Sequence, residues 1–144
     1  MQQSTKNSLQ GVSPLSNRKI FLCYNQPSFL YGTDTVDITK TQFERLETKY
    51  RGVLKRFLSL PEQCASSAVY LMAGVFPAEA QRDLEILCLL GQLSMCPDQL
   101  QNVHHIIFDH LIEYPSDFSG WSGIVRRTAM KYTGLPDPLQ YLSL

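Results

Sequence analysis

The sequence lacks the features that mark membrane-spanning and disulfide-rich proteins. No apolar run approaches the roughly 20 residues that a helix needs to cross a bilayer, since EILCLLGQLSM is short and bounded by charge and proline. The start also lacks the charged-then-apolar layout of a secretory signal. The four cysteines, Cys23, Cys64, Cys88 and Cys96, are widely spaced and form no C-x-x-C pair, which favours reduced thiols. We therefore expect a soluble protein inside the cell, nuclear or cytoplasmic.

Motifs for nucleophilic catalysis and for nucleotide binding are absent as well. The sequence contains no G-x-S-x-G elbow, no P-loop and no G-x-G-x-x-G. His104, His105 and His110 lie near Cys96 and Asp109, but neighbouring helical residues point about 100° apart and a spacing of five does not share a face. Structural or surface histidines are the favoured interpretation, and we expect no metal, no cofactor and no small-molecule substrate.

The chain has no net charge, because its thirteen basic side chains balance thirteen acidic ones. No whole-protein field therefore attracts nucleic acid from a distance, and any such contact must use a local patch. At 144 residues the chain suits one domain with a real core. Residues 1–18 lack a periodic apolar face and are expected to be a flexible polar arm, followed by a single helical domain over residues 19–144.

The remaining pattern predicts helix after helix. Thr39 and Gln42 form a capping box that opens a helix running to Pro61, and its apolar residues share one face: Phe43, Leu46, Tyr50, Val53, Leu54 and Phe57. Caps, glycines and prolines bound four more helices: from Ser66 or Ser67 to Gly74, from Pro77 to Pro97, from Asp98 to before Pro115, and from Ser119 or Ser122 to Gly134. For KIFLCY, strand and buried helix stay equally open. The expected fold is all-α, an orthogonal bundle of about five helices.

Three stretches recur in the order and spacing of one known family. They are FLYG with DITKTQFERLETKYRGVLKRFLSLP, then SSAVYLMAGVFPAEAQRDLEILCLLGQL, then WSGIVRRTAMKYTGLPDPLQYL. Together, over about residues 20 to 142, they resemble the region beyond the polymerase core in LINE-type, non-LTR retrotransposon reverse transcriptases of the jockey-like or chicken-repeat-like kind. The resemblance implies a thumb and the linker downstream of it, which hold template and primer against the catalytic palm.

One departure from the family decides the question of catalysis. The resemblance implies paired aspartates in the palm, holding two metal ions with a third aspartate, and no Asp-Asp pair occurs in this chain. We therefore expect a non-catalytic fragment, whose parent protein would be an RNA-directed DNA polymerase. Its expected partners are the backbone of an RNA or RNA–DNA template-primer and the upstream palm of the parent, with no membrane.

The best candidate contact lies on the first long helix, where Arg45, Lys49 and Arg56 project within a narrow arc. Gly52 lies in the same stripe, so a phosphate backbone could approach closely. Residues 40–56 hold six basic and two acidic groups, a local balance of six minus two, or plus four. The alternative is a solvated helix face on which the two glutamates pair with basic neighbours three or four residues away.

A second basic group consists of Arg126, Arg127 and Lys131, beside Trp121 and Tyr132. Such a mixture could grip phosphate and stack on an unpaired base. The alternative, favoured from the sequence, makes the two aromatic residues core anchors with charged side chains extending past them to water.

A competing hypothesis assigns the chain to a different class of protein. Net neutrality and the apolar helix around Leu87 and Leu90 fit a helical protein-interaction module, or a transposon-derived remnant that has lost nucleic-acid binding. A helix without its palm partner would leave apolar surface exposed.

Overall fold

The described part of the chain is all-helical. The computed structural model describes residues 13–95, 101–136 and 139, with the backbone alone at 101–105. Within these residues every regular element is a helix and no strand occurs, so the all-α prediction is confirmed. None of the helices in this part of the chain combines the length and the apolar character that crossing a membrane requires.

The chain divides into two compact units, while the single helical domain over residues 19–144 stays a prediction. The first unit contains the described residues up to 31 and residues 39–79, and the second contains residues 32–38 and the described residues from 80 onward. No local sequence pattern reports such a division, because every helix has its own apolar face in either arrangement.

The first unit begins with a continuous helical segment. It consists of α1 (Pro14–Ile20), a π-helical turn (Phe21–Asn25) and α2 (Gln26–Leu30). Ser13 caps α1, its Oγ accepting from the Ser16 N–H at 3.2 Å, and the π-helical turn lies just before Pro27, whose ring and missing N–H interrupt α-helical bonding. KIFLCY, left open between strand and helix, is therefore helical.

The start of α1 differs from the predicted flexible arm at residues 14–18. Asn17 is buried and its Nδ2 donates to the Phe57 carbonyl at 3.0 Å. Arg18 donates from Nε to the Ala73 carbonyl at 2.6 Å and from Nη2 to the Gly74 carbonyl at 3.0 Å. Partners 40 to 56 residues away order this polar segment, which has no apolar periodicity to reveal it. Residues 1–12 of the predicted arm lie outside the described residues.

The predicted capping box opens α3 (Lys40–Phe57) and is confirmed. The Gln42 N–H donates to the Thr39 Oγ1 at 3.4 Å, and the Thr39 N–H donates to the Gln42 Oε1 at 3.1 Å. On the predicted apolar face, Phe43, Tyr50 and Leu54 are buried. The helix is anchored at its N-terminus and along one side, as the spacing had indicated.

The end of α3 differs from the predicted run to Pro61. Ser59 takes a left-handed φ of 55°, and its N–H donates to the Arg56 carbonyl at 3.1 Å, while the Leu60 N–H donates to the Lys55 carbonyl at 2.8 Å. These two bonds form a Schellman motif, which usually has glycine at the left-handed position. Serine there conceals the helix end in the sequence.

The first unit is closed by α4 (Ser66–Ala73), which ends at Gly74 as predicted, with a left-handed φ of 60°. Its Val69 and Ala73 are buried. The aromatic centre of the unit is formed by rings in edge-to-face contact: Phe21 lies 5.1 Å from Tyr50 and 5.9 Å from Phe57, and Phe29 lies 5.8 Å from Tyr50. Such contacts add to the stabilisation from apolar burial.

The remaining helices are α5 (Ala78–Ser94), α6 (Gln101–Glu113) and α7 (Gly120–Thr133). The predicted ends of α6 before Pro115 and of α7 at Gly134 are confirmed, and Ser119 occupies the N-cap position of α7. The predicted helix cap at Asp98 lies outside the described residues. The core of the second unit is a cluster of small and branched apolar side chains: Ile86, Leu90, Leu111, Ile124, Val125, Ala129 and Leu139.

Gly123 in α7 leads to a prediction about stability. A Cβ at this buried position would overlap the backbone carbonyl of Phe118, so Gly123→Ala should lower the free energy of unfolding by about 1–3 kcal/mol, the usual cost of overpacking. Gly91→Ala in α5 is the control, because a Cβ there meets nothing within 4 Å and should stabilise the helix by up to about 1 kcal/mol. Urea unfolding measures both changes, and a stabilising Gly123→Ala would contradict the packing described.

Candidate nucleic-acid interface

The predicted basic stripe of α3 is exposed. Arg45, Lys49 and Arg56 are all exposed side chains in the first unit, at positions that share one side of a helix with Gly52. None of them takes part in the ion pairs found between described residues. A Cβ at Gly52 would meet nothing within 4 Å. The structure therefore brings the three predicted cations together beside an open stretch of helix backbone.

The two glutamates of this helix were the basis of the alternative interpretation, in which they neutralise the stripe. Glu47 accepts a hydrogen bond from the Tyr70 hydroxyl at 3.0 Å, while Glu44 is exposed. Burial, followed by the charge of Glu47 and the hydrogen bond to it, raises the pKa of Tyr70 above its ordinary value, so the phenol stays protonated and continues to donate. One of the two carboxylates is thus engaged by α4 and not by the stripe.

A groove of about 290 Å³ runs along the flank of α3 beside the stripe. Three of the side chains that line it are cationic: Arg51, Lys55 and Arg56. The Arg51 Nη1 donates to the Ser66 Oγ at 2.6 Å, and the Lys55 Nζ donates to the Glu62 backbone carbonyl at 2.6 Å. Both cations are half-buried and are held by these bonds.

Sequence reasoning counted Arg51 and Lys55 in the local charge balance but did not place them in a site. The signal was the excess of basic residues over residues 40–56. The sequence could not predict that Ser66 and Glu62 lie beside α3. Their positions depend on how the chain turns after Phe57 and where α4 begins. The groove is therefore a tertiary feature, whereas the exposed stripe is a feature of a single helix.

In the second unit, Arg126 requires a correction. Its side chain is only 2% exposed, and it donates to three backbone carbonyls: Leu111, Tyr114 at 2.8 Å and Asp117 at 3.0 Å. These carbonyls lie at the end of α6 and in the loop before α7, where helix-terminal acceptors need donors. This position does not fit the predicted phosphate contact by Arg126, because the guanidinium is enclosed and bonded to carbonyls within the protein.

Arg127 and Lys131 are exposed, but each is paired with a carboxylate. The Arg127 Nη2 lies 3.2 Å from the Asp37 Oδ1, and the Lys131 Nζ lies 2.7 Å from the Asp83 Oδ2. Asp83 is buried and also accepts from the Tyr132 hydroxyl at 2.9 Å. This pairing lowers the local positive charge, so the second basic group is a poorer phosphate contact than the stripe of α3.

Trp121 is half-buried and packs against the core cluster of the second unit, and Tyr132 is exposed and bonded to Asp83. For Trp121 the packing favours the core-anchor interpretation over stacking on a base. For Tyr132, the hydroxyl is committed to a buried carboxylate, which fixes the ring beside α5.

Of the residues weighed as metal ligands, the side chains of Cys96, His104 and His105 lie outside the described residues. The His110 Nε2 lies 3.2 Å from the Asp117 Oδ2, and its ring is 4.9 Å from that of Tyr114. Hydrogen bonds from the Ser119 hydroxyl and backbone N–H, followed by that from His110, lower the pKa of Asp117. Across the side chains that the structure describes, no group of three or more His, Cys, Asp or Glu could hold a metal ion.

Comparison of the chain with protein-family models, with curated proteins and with solved structures found no match in any of the three.

Proposed function

We propose that this chain is a non-catalytic, thumb-like part of a retrotransposon RNA-directed DNA polymerase, which contacts the backbone of an RNA or RNA–DNA template-primer. The observation that carries the proposal is the exposed stripe of Arg45, Lys49 and Arg56 beside Gly52 on α3. Cations that form no ion pair with a carboxylate among the described residues can attract phosphates without reading base sequence. The upstream palm as a partner and the orthogonal packing of the helices belong to the same proposal.

The stripe suits a duplex backbone for a geometric reason. Positions 45, 49 and 56 are spaced by about one and two helical turns, so their charges follow the helix axis over roughly 16 Å, at 1.5 Å per residue. A helix laid along a strand would place these charges beside phosphates of one backbone, and contacts of this kind fix position and register, not sequence. The proposed role is therefore sequence-tolerant holding of the duplex.

A gel-shift series with an RNA–DNA primer-template measures the expected interaction directly. Affinity should fall steeply with salt, and the double change Arg45→Ala/Lys49→Ala should flatten the slope of log K against log salt by about 1.8, because each phosphate that a cation neutralises accounts for about 0.9 of that slope. Arg56 is left in place because it also lines the groove. The matched control is Lys19→Ala/Lys40→Ala, which removes the same charge at exposed positions of the first unit.

The control should leave the slope of log K close to that of the unchanged chain. Equal slopes for the double variant and the control would remove the stripe from the interface. Failure of the unchanged chain to shift the primer-template even at low salt would contradict the proposed function as a whole.

The second candidate function is a helical protein-interaction module, and one observation favours it. The second unit carries an apolar groove of about 640 Å³ whose lining includes Leu89, Leu93, Ile106, Ile107 and Trp121. Exposed apolar surface of this kind is typical of interaction sites. The structure identifies no occupant for this groove, so we rank nucleic-acid contact first. Light scattering bears on the choice: self-association of the chain would favour the second candidate, and a monomer that binds duplex would favour the first.

A further inference from the structure

The groove beside α3 differs from the exposed stripe in that two of its three cations, Arg51 and Lys55, are fixed in place by hydrogen bonds. Arg51 is held by Ser66 and Lys55 by the Glu62 carbonyl, each through a 2.6 Å hydrogen bond. An arginine carries five N–H donors and a lysine three, so each cation keeps donors beyond the one used in these bonds. Because the ordering of these long side chains already occurs on folding, less side-chain entropy is lost when an anion binds.

The charges that line the groove favour an anion. Arg51, Lys55 and Arg56 contribute three positive charges and Glu62 one negative charge, and three minus one leaves plus two. Both Arg51 and Lys55 are half-buried, so less solvent screens them than screens the stripe. Glu62 belongs to the turn that positions Lys55 through its backbone carbonyl.

The shape of the groove favours an oxyanion of phosphate size with a group attached. Gly52 forms part of the lining, and a Cβ there would meet open space, so the helix backbone can be approached closely. The volume of about 290 Å³ exceeds what a lone phosphate fills and leaves room for an attached sugar. The Ser66 hydroxyl also lies in the lining; its oxygen accepts from Arg51, so its proton can be donated to a phosphate oxygen.

We propose that this groove binds one phosphate group of a nucleic-acid strand, with Arg51, Lys55 and Arg56 as its cationic ligands. The inference rests on the proposed function, because the strand is the ligand proposed there. It adds that the contact is not uniform along α3. One phosphate is bound in the preformed groove, while Arg45 and Lys49 attract the neighbouring phosphates from an exposed surface.

The test is a titration of the ¹⁵N-labelled chain with inorganic phosphate, followed by the amide signals of Gly52 and Ser66, with chloride at equal ionic strength as the control salt. Saturable shifts are expected with phosphate and not with chloride. Gly52→Leu fills the groove without changing charge and should weaken phosphate binding by about tenfold, the equivalent of one charge-assisted hydrogen bond. Gly52→Ala adds only a methyl group and should keep the affinity.

A second variant keeps the test decisive if the Gly52→Leu chain fails to fold. Lys55→Met removes one cationic ligand, keeps an unbranched side chain, and should also weaken phosphate binding, with circular dichroism checking that the helices are intact. If the shifts with phosphate equal those with chloride, the groove is not a phosphate-binding site and this inference is overturned. Retention of full affinity in both Gly52→Leu and Lys55→Met would overturn it equally.

Failure of the inference is distinguishable from failure of the proposed function. One outcome is that phosphate has no specific effect, while primer-template binding is salt-sensitive and depends on Arg45 and Lys49. That outcome contradicts phosphate binding in the groove and supports the proposed function. Saturable phosphate binding without any primer-template binding overturns the assignment to a nucleic-acid strand, and points to a free phosphate compound as the source of the group.

Discussion

Replacing Phe21 by alanine is expected to lower the free energy of unfolding by about 3–5 kcal/mol, the usual cost of removing a buried aromatic ring. The ring is fully buried and lies edge-to-face against Tyr50 and Phe57. Its removal leaves a cavity that the surrounding rings cannot fill without leaving their preferred geometry. It also removes two of the three ring contacts described between the segment at residues 14–30 and α3.

Tyr24→Ala is the matched control for Phe21→Ala. It removes an aromatic ring from the same π-helical turn, at a side chain that is 73% exposed, and should change stability by less than about 0.5 kcal/mol. Urea unfolding followed by circular dichroism compares the two. Similar destabilisation by the two variants would mean that the first helical segment does not pack on α3 as described.

Arg126→Met should lower the free energy of unfolding by about 3 kcal/mol, because buried acceptors bonded to a charged donor are costly to leave without it. Three backbone carbonyls, at Leu111, Tyr114 and Asp117, lose their guanidinium donor. Methionine keeps most of the apolar stem, so the destabilisation reports the hydrogen bonds more than the packing. The chain has one tryptophan, Trp121, whose fluorescence reports unfolding of the second unit.

Arg127→Met provides the control for Arg126→Met, one residue along the same helix. Its guanidinium is exposed and paired with Asp37 at 3.2 Å, and exposed pairs contribute at most about 1 kcal/mol. If Arg127→Met proved as destabilising as Arg126→Met, the enclosed position of Arg126 would be wrong, and its nucleic-acid role would again be open.

The two arginines show what sequence can and cannot supply. Residue type does not distinguish the two arginines, and helical period separates their directions by about 100° without showing which one meets backbone acceptors. The difference comes from where the end of α6 and the loop before α7 place their carbonyls. Those positions depend on the packing of Leu111, Ile124 and Val125, which is a property of the fold and not of the residue type.

Elements fixed by local interactions were predicted well. The capping box of Thr39 and Gln42 involves residues three apart, and the buried face of α3 follows from helical period alone. The left-handed glycines that end α4 and α7 are equally local, because glycine accepts that conformation without a side-chain clash. The position of the basic stripe was recoverable for the same reason, since its three cations belong to one helix.

Elements fixed by distant residues were not predicted. The helix at residues 14–18 depends on acceptors at Phe57, Ala73 and Gly74, and the groove depends on Ser66 and Glu62 approaching α3. The end of α3 is a third kind of case, because Ser59 adopts a conformation that its residue type rarely shows. In the first two, tertiary contacts override what the local pattern indicates, whereas the bonds that end α3 are local and only the residue type conceals them.

Arg18 determines where a fragment containing the first unit should begin. Its guanidinium supplies donors to the carbonyls at the end of α4, although it precedes the point where the apolar pattern begins. A fragment that starts at residue 19 would keep every helix predicted from the sequence. It would lack the hydrogen bonds that Arg18 donates to the end of α4 in the first unit. A fragment that keeps both these bonds and the Ser13 cap of α1 therefore begins no later than Ser13, in a stretch that the sequence pattern alone would leave out.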